Sequence, residues 1–419
     1  MSLIRQIFGY EILDSRGNPT VKVRVTLDDG TIAYASCPSG ASVGRYEALE
    51  LRDHDEKRYR GLGVTKAVDN VNKIIAAKLN GMDALNQHNI DSTMVALDGT
   101  ANKEKLGANA ILPVSIAVAK AAALNIKRPL YWYLAQYVSQ QPPTKIPVPI
   151  FNIINGGKHA SKNLDFQEYI LVPGSSHTYS QSLQLGTTIY SSLRDIMLAQ
   201  GLPTQVGDEG GFAPILQNNS LPFSLLKQAV EATSYKVGLD VFFGMDAAAQ
   251  TLFKDKLYFL KDHTNRLTVD DMISYYKELN NQYRILYLED PLSEDDWDGW
   301  KKINAELSQN TIIVGDDLIA TNPARLQMAI SNKAIGGVII KPNQIGTVIE
   351  ALAVASAAKS FGLKVIVSHR SGETDDDFIA DFAVAVSADY AKFGAPARGE
   401  RVAKYNRLLE IEQEIQQKT

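Results

Sequence analysis

Five apolar runs in the second half of this chain each lead into an ionisable residue, and this pattern constrains the fold more than any other. GLDVFFGM leads to Asp246 and RILYL to Glu289. TIIVG leads to Asp316, GGVII to Lys341 and LKVIVS to His369. Each run has the length and the β-branched or aromatic content of a buried strand, and helical patterns lie between the runs. Strand followed by helix, many times over, predicts a parallel α/β barrel or an open sheet. In such folds the chemistry gathers at the C-terminal ends of the strands. Three carboxylates and an amine arriving there from separate strands suit a divalent cation held beside a base.

The 419 residues suffice for one barrel plus an extra domain, and the formal net charge is only −4. No basic block or aromatic-interleaved basic stripe occurs, so nucleic acid is not an expected partner. Apolar stretches are interrupted short of the ~18 residues a membrane span needs. The start, MSLIRQIFGYEI, has no hydrophobic signal core and enters a strand-like pattern at once. The single cysteine, Cys37, has no partner for an internal disulfide, which fits a reducing cytosol. With no base evident beside it, Cys37 reads as a small buried or loop thiol.

The first part of the chain differs from the rest. VKVRVTL, DDG and TIAYASC form strand, turn and returning strand, a half-exposed antiparallel hairpin. Helical segments follow, VTKAVDNVNKIIAAKL and GANAILPVSIAVAKAAAL, with Pro113 expected to kink the second or mark its early turns. This predicts an α+β domain over 1–140 and a barrel domain over 141–419, divided near QPPTKIPVP. Within the barrel half, Thr268 with Asp271 reads as a capping box. Asn322 and Pro323 read as N-cap and first helical residue, and Thr347 with Glu350 opens a helix that stops at Gly362.

Asp246, Glu289 and Asp316 stand too far apart for a local loop site, so their grouping depends on neighbouring strands. All-oxygen ligation favours a hard cation such as magnesium. The competing reading of each acid alone is a helix cap, and Asp290 and Asp317, each next to a candidate ligand, have the stronger claim to that role or to one supporting the ligand. Lys341 ends a buried strand, where burial and nearby cations lower a lysine's pKa and free its amine as a base. The alternative is a salt bridge to one of the strand-end acids. Glu168 and Glu209 are candidate acids from two loops, LDFQEYILVP and VGDEGGFAP, each also readable as a plain turn. In SHRSGETDD, His369, Arg370 and Ser371 follow a strand directly and suit a phosphate. The four acids behind them suit a helix N-terminus. PSGASVGRYE has the small residues of a lid or of a surface turn, and Lys392 is a further cation after a possible last strand.

Together these segments resemble the enolase family. The likeness runs from EILDSRGNPTV through SGASVGRYEALELRD, INGGKHA, VGDEGGFAP, YLEDPL, VGDDL, KPNQIGT and SHRSGETDD to KFGAPARGERVAKYN. It implies a smaller α+β lid domain before an eight-stranded, TIM-like α/β barrel that opens with an antiparallel ββαα unit. It implies a hydro-lyase that dehydrates 2-phospho-D-glycerate reversibly to phosphoenolpyruvate in glycolysis and gluconeogenesis. By the same resemblance Asp246, Glu289 and Asp316 hold one magnesium ion, and Ser42 a second that arrives with substrate. Lys341 matches the general base and Glu209 the general acid, with Glu168 and Gln167 supporting the acid side. His159, His369, Arg370 and Ser371 match substrate positions, the last two on the phosphate, and Lys392 matches the ligand of the substrate carboxylate. A cytoplasmic homodimer, or an octamer built of dimers, is implied; a cell-surface role is not readable from the residues.

The chain departs from the family pattern at a few places. Val43 stands where threonine is usual, Gln250 and Thr251 where serine and glutamate are, and Pro113 where glycine is. Ser161 and Lys162 also differ from the common residues. None removes a residue with a chemical role. Two rival readings remain at this point. One is a related barrel enzyme acting on sugar acids or muconates. The other is a non-catalytic binding protein on the same fold.

Overall fold

The computed structural model describes residues 2–40, 44–139, 141–160 and 164–417. The chain begins with a three-stranded antiparallel sheet of β1 (Ile4–Leu13), β2 (Pro19–Leu27) and β3 (Ile32–Ser36). The expected hairpin is β2 and β3, turning at Gly30 with φ 88°. Val21, Val23, Val25 and Leu27 alternate inward and are fully buried, as one covered face requires. The helix Ala108–Asn125 covers that face. It is the one helix among the described residues long and apolar enough to cross a bilayer, and 83% of it is buried inside the protein. Its apolar surface is therefore spent on β2 and β3. The helix runs through Pro113, which removes a backbone N–H within its second turn.

The second half closes an eight-stranded barrel. Its strands are β4 (Val148–Asn155), β5 (Glu168–Pro173), β6 (Val241–Asp246), β9 (Ile285–Glu289), β10 (Ile312–Gly315), β11 (Gly337–Ile340), β12 (Lys364–Ser368) and β13 (Tyr390–Lys392). A short hairpin of β7 (Phe253–Lys254) and β8 (Leu257–Tyr258) lies outside it. The order around the barrel is β10-β11-β12-β13-β4-β5-β6-β9. β5 is antiparallel to both β4 and β6, and every other pairing is parallel. Two helices, Tyr179–Ala199 and Leu221–Glu231, follow β5 before β6, so the barrel opens as ββαα. This explains why the sequence loses its strand–helix alternation before Gly238.

Period-two side chains fill the barrel. Ile150, Ile170, Tyr287, Val314, Ile339 and Ile366 from six strands meet inside it, and their neighbours face the helices. Gly244 on β6 makes room for Tyr287, since a Cβ there would sit 2.9 Å from that residue's own Cβ. The capping residues behave as read. Thr268 and Asp271 bond reciprocally, and the Asn322 side chain accepts from the N–H groups of Ala324 and Arg325.

The first domain also caps a barrel helix. At the start of Val348–Ser360, Ser115 Oγ accepts the Val348 N–H at 3.1 Å and Asp91 accepts the Ile349 N–H at 3.0 Å. Asp91 also accepts from Gln87 and Ser115. Burial outweighs these donors and pushes its carboxyl up to about 7. Its unfolded value is about 3.9, so between those values the folded state binds the extra proton. Stability from this group is present below about pH 4 and is lost as pH rises through about 7. Asp91→Asn is expected to flatten the decline of unfolding free energy between about pH 4 and about pH 7. Denaturant titrations across that range check this, and an unchanged slope refutes it.

Candidate active site

The strand ends deliver their ionisable residues to one mouth of the barrel. Asp246 and Glu289 end β6 and β9 and are paired in register. Asp316, Lys341 and His369 each stand one residue past β10, β11 and β12, and Lys392 ends β13. Around them lies a cleft lined by Asp246, Asp316, Lys341, His369 and Lys392 among others. Glu168, Gln167, His159, Glu209, Arg370 and Ser371 also line it. Glu289 is fully buried beside Asp246 at the same strand ends. Ser42, Val43, Ser161 and Lys162 lie outside the described residues.

Lys392 is the electrostatic hub. Its Nζ sits 2.7 Å and 2.9 Å from the two Glu289 oxygens, 3.0 Å from Glu168 and 3.6 Å from Asp246. One ammonium thus faces three buried carboxylates. Burial and mutual repulsion push Asp246 and Glu168 well above the usual range, and Glu289 upward too. Lys392 is not a solvated lysine, since the residue is 2% exposed.

Lys341 pairs with Asp316 Oδ2, whose other oxygen takes the Gln344 amide at 3.4 Å. The sequence reading expects burial and cations to lower this lysine's pKa. Burial is the largest single influence and does act that way, but the neighbouring anions, Asp316 first and then Glu289, together outweigh it and hold Lys341 above its usual value. The salt-bridge alternative therefore describes this lysine in its present surroundings, and Asp316 is pushed down in return.

Glu209 lies between two imidazoles. His159 Nδ1 is 3.6 Å from Glu209 Oε1 and from Glu168 Oε1, and His369 Nε2 is 3.4 Å from Glu209 Oε2. The Asn152 amide donates to Glu209 Oε2 at 2.9 Å. Burial pushes Glu209 up, and the His159 and His369 imidazoles with the Arg401 guanidinium more than reverse it. Glu168 moves the other way, raised by burial and by the neighbouring carboxylates against the pull of Lys392. Among the described residues, neither His159 Nδ1 nor His369 Nε2 has a hydrogen-bond partner in proper geometry, although both are buried. Polar atoms left so are expected at a ligand site.

The donor set fits a hard divalent cation. Asp246, Glu289 and Asp316 crowd negative charge at adjacent strand ends, and the pKa shifts of the first two record a demand for positive charge. Oxygens of Asp290, Asp316 and Asp317 also lie within 4.8 Å of one another. Asp290 is poorly placed to join a metal, because its two oxygens accept the N–H groups of Asp316 at 3.0 Å and Asp317 at 2.8 Å. It supports the Asp316 turn, as its reading as a supporting or capping residue anticipates.

The phosphate candidates are tied to the first domain. Arg370 donates to Glu47 Oε2 at 2.8 Å and to Asn343 at 3.1 Å. Ser39 and Gly372 exchange backbone hydrogen bonds of 2.7 Å and 2.9 Å. The Gly44 N–H, just past residues 41–43, is accepted by Glu47 at 3.0 Å. Of the acids behind, Asp376 caps the helix Phe378–Ala385 through the Phe378 N–H, whereas Glu373 pairs with Lys404. Gln250, one of the departures, accepts from Ser293 and the Glu294 N–H, and Thr251 turns its hydroxyl to the Ala248 carbonyl. Cys37 is buried, its thiol held well above the usual value by desolvation, so a nucleophile is excluded there.

Sequence reasoning passed over Glu47, Asn152, Tyr287 and Arg401, all of which touch these side chains. Arg401 was inside a quoted motif, GERVAKYN, yet a charged residue in the first turn of a helix carries no sign that it points inward.

A closed α/β barrel with buried acids, ammonium groups and imidazoles at its strand ends defines an acid–base enzyme of the barrel class. Residues 4–134 match the family profile described as "Enolase, N-terminal domain", and residues 143–419 that described as "Enolase, C-terminal TIM barrel domain". The chain belongs to the enolase family, and this membership makes it a lyase of the enolase type. Enolases typically use Mg²⁺, and the acidic groups able to hold a metal are present here.

Proposed function

We propose that the protein dehydrates 2-phospho-D-glycerate reversibly to phosphoenolpyruvate, as a magnesium-dependent, cytoplasmic enzyme of glycolysis and gluconeogenesis. Residues 141–419 form its catalytic barrel and residues 1–140 its lid domain. The observation that carries this reading is the placement of base and acid. Lys341 follows β11 and Glu168 begins β5, four places apart in a ring of eight strands, so they face each other across the barrel. Glu209 lies on the Glu168 side. A substrate between them loses a proton on one face and a hydroxyl on the other.

Each residue type answers a need of that reaction. The proton next to a carboxylate is very weakly acidic, so the enolate formed on its removal needs positive charge beside the substrate carboxylate. Lys392 supplies part of it. Magnesium, held by Asp246, Glu289 and Asp316, supplies more when bound, with Ser42 proposed as ligand of a second ion. Pairing of a lysine base with magnesium is a known feature of enolase-superfamily sites. Hydroxide leaves poorly, so the acid side supplies a proton: Glu168, whose carboxyl favours the protonated form, passes it to Glu209, which delivers it to the leaving oxygen. Gln167 orients Asp246 through its amide at 3.2 Å. Arg370 and Ser371 take the phosphate, and His159 and His369 border the substrate. We further propose a homodimer, or an octamer of dimers, to be read by light scattering.

The test is absorbance of phosphoenolpyruvate formed from 2-phosphoglycerate with magnesium, and its loss with chelator. Turnover of sugar acids instead, or of nothing at all, overturns the reading. Glu209→Gln is expected to lower turnover by about 10²–10⁴-fold while still exchanging the substrate's carbon-bound proton with solvent. If exchange disappears together with turnover, Glu209 does more than donate the proton.

A further inference from the structure

Arg401 is fully buried in the first turn of the helix Gly399–Gln416. On local grounds this is a poor place for a cation. A helix N-terminus repels positive charge, and a buried guanidinium loses its hydration. Glu400 offsets little of this at 3.5 Å from Nε. The side chain is satisfied instead by the active-site loops. Nη1 donates to the Arg370 carbonyl and lies against His369 Nδ1, both at 2.6 Å. Nη2 donates to the Ser371 carbonyl at 2.6 Å and to the Asp208 carbonyl at 3.1 Å.

We propose that Arg401 is a positioning residue that fixes His369 as the neutral tautomer with its proton on Nε2, the ring nitrogen on the side of Glu209. A guanidinium has five donors, no acceptor, and does not lose its proton in proteins. His369 Nδ1 facing it must therefore accept, and the one proton of a neutral imidazole is left to Nε2. That atom is buried 3.4 Å from Glu209 Oε2. The ring is held in place from its other sides. The His369 N–H donates to the Lys392 carbonyl at 3.0 Å, and Gly394 packs so close that a Cβ there would stand 3.0 Å from Cε1. The charged groups facing the ring are Arg401 from the C-terminal helix, Lys392 from β13 and Glu209 from its loop. Burial, Arg401 and Lys392 push the imidazole's pKa down to about 3 against the pull of Glu209, in keeping with a ring that stays neutral. The Asp208 bond acts on the same target, because it holds the residue next to Glu209.

The tautomer does not depend on the reaction, whereas its effect on turnover rests on Glu209 acting as the acid. The full chain is labelled with ¹⁵N-histidine, and His369 is identified among six histidines by the signal lost in His369→Asn. In the wild type, Nε2 is expected to appear protonated and Nδ1 unprotonated, unchanged from about pH 6 to about pH 8. A proton on Nδ1, or titration within that range, overturns the proposal without any variant. Arg401→Lys keeps a cationic donor and is expected to retain the tautomer and more of the turnover. Arg401→Gln is expected to give mixed tautomers and a kcat about 10–100-fold lower with KM little changed. Equal loss of turnover in both variants with the wild-type tautomer intact would make Arg401 merely structural and sink the idea. A wild type with the expected tautomer but no action on 2-phosphoglycerate refutes the proposed function and leaves the positioning role standing.

Discussion

Lys341→Ala is expected to lower kcat by about 10³–10⁴-fold, the upper range for loss of a general base, without weakening magnesium binding. Lys341 is paired with Asp316, one of the proposed metal ligands. In the wild type a divalent cation must compete with this ammonium for the same carboxylate. Removing the amine frees Asp316, so affinity for magnesium is expected to stay equal or rise. The same competition accounts for how a lysine held above its usual value can serve as a base. With its anion engaged elsewhere, Lys341 keeps burial and the cations Arg370 and Lys392, all of which lower its pKa. Calorimetric titration of the variant with magnesium, beside its rate on 2-phosphoglycerate, checks both halves. A rate within about tenfold of the wild type removes Lys341 as the base.

Lys392→Ala is expected to damage stability as much as turnover. The variant leaves Glu168, Asp246 and Glu289 buried with no ammonium among them. Stripping one partner from a buried charge cluster costs about 3–5 kcal/mol, mostly because the remaining charges lose their compensation. Part of that cost is escaped by protonation, and the three acids are already pushed in that direction. Saturating magnesium supplies replacement charge to Asp246 and Glu289, so it is expected to stabilise the variant more than the wild type. Turnover still falls by about 10²-fold or more, because the developing negative charge on the substrate loses its ammonium. Thermal unfolding with and without magnesium is the measurement. A variant as stable as the wild type, or one that magnesium stabilises no further, contradicts the assignment of Lys392 as the central counter-ion.

The ends of the strands were readable because burial forbids charge inside an apolar run, so an ionisable residue there marks the exit of the strand. Asp246, Glu289, Asp316, Lys341 and His369 all stand at or one residue beyond such an exit. Caps were readable for a similar local reason, as Thr268 and Asn322 show. The antiparallel β5 was implied only by the family resemblance, because a strand's direction relative to its neighbours leaves no trace in its own residues. Lys341 shows the same limit. Its position followed from sequence, but the sign of its pKa shift depended on Asp316, twenty-five positions away and brought alongside by β10–β11 pairing.

Sequence alone therefore determined the element types, the strand exits and which residues carry ionisable groups at the barrel mouth. These follow from hydrophobic periodicity and from the cost of burying charge, both of which act along the chain. Only the tertiary structure decided which charges neighbour which. It gave Lys392 three carboxylates, turned Arg401 inward onto His369, and set Lys341 opposite Glu168. Those pairings come from closing the ring of strands, and electrostatic energy depends on distance through space rather than on separation along the chain.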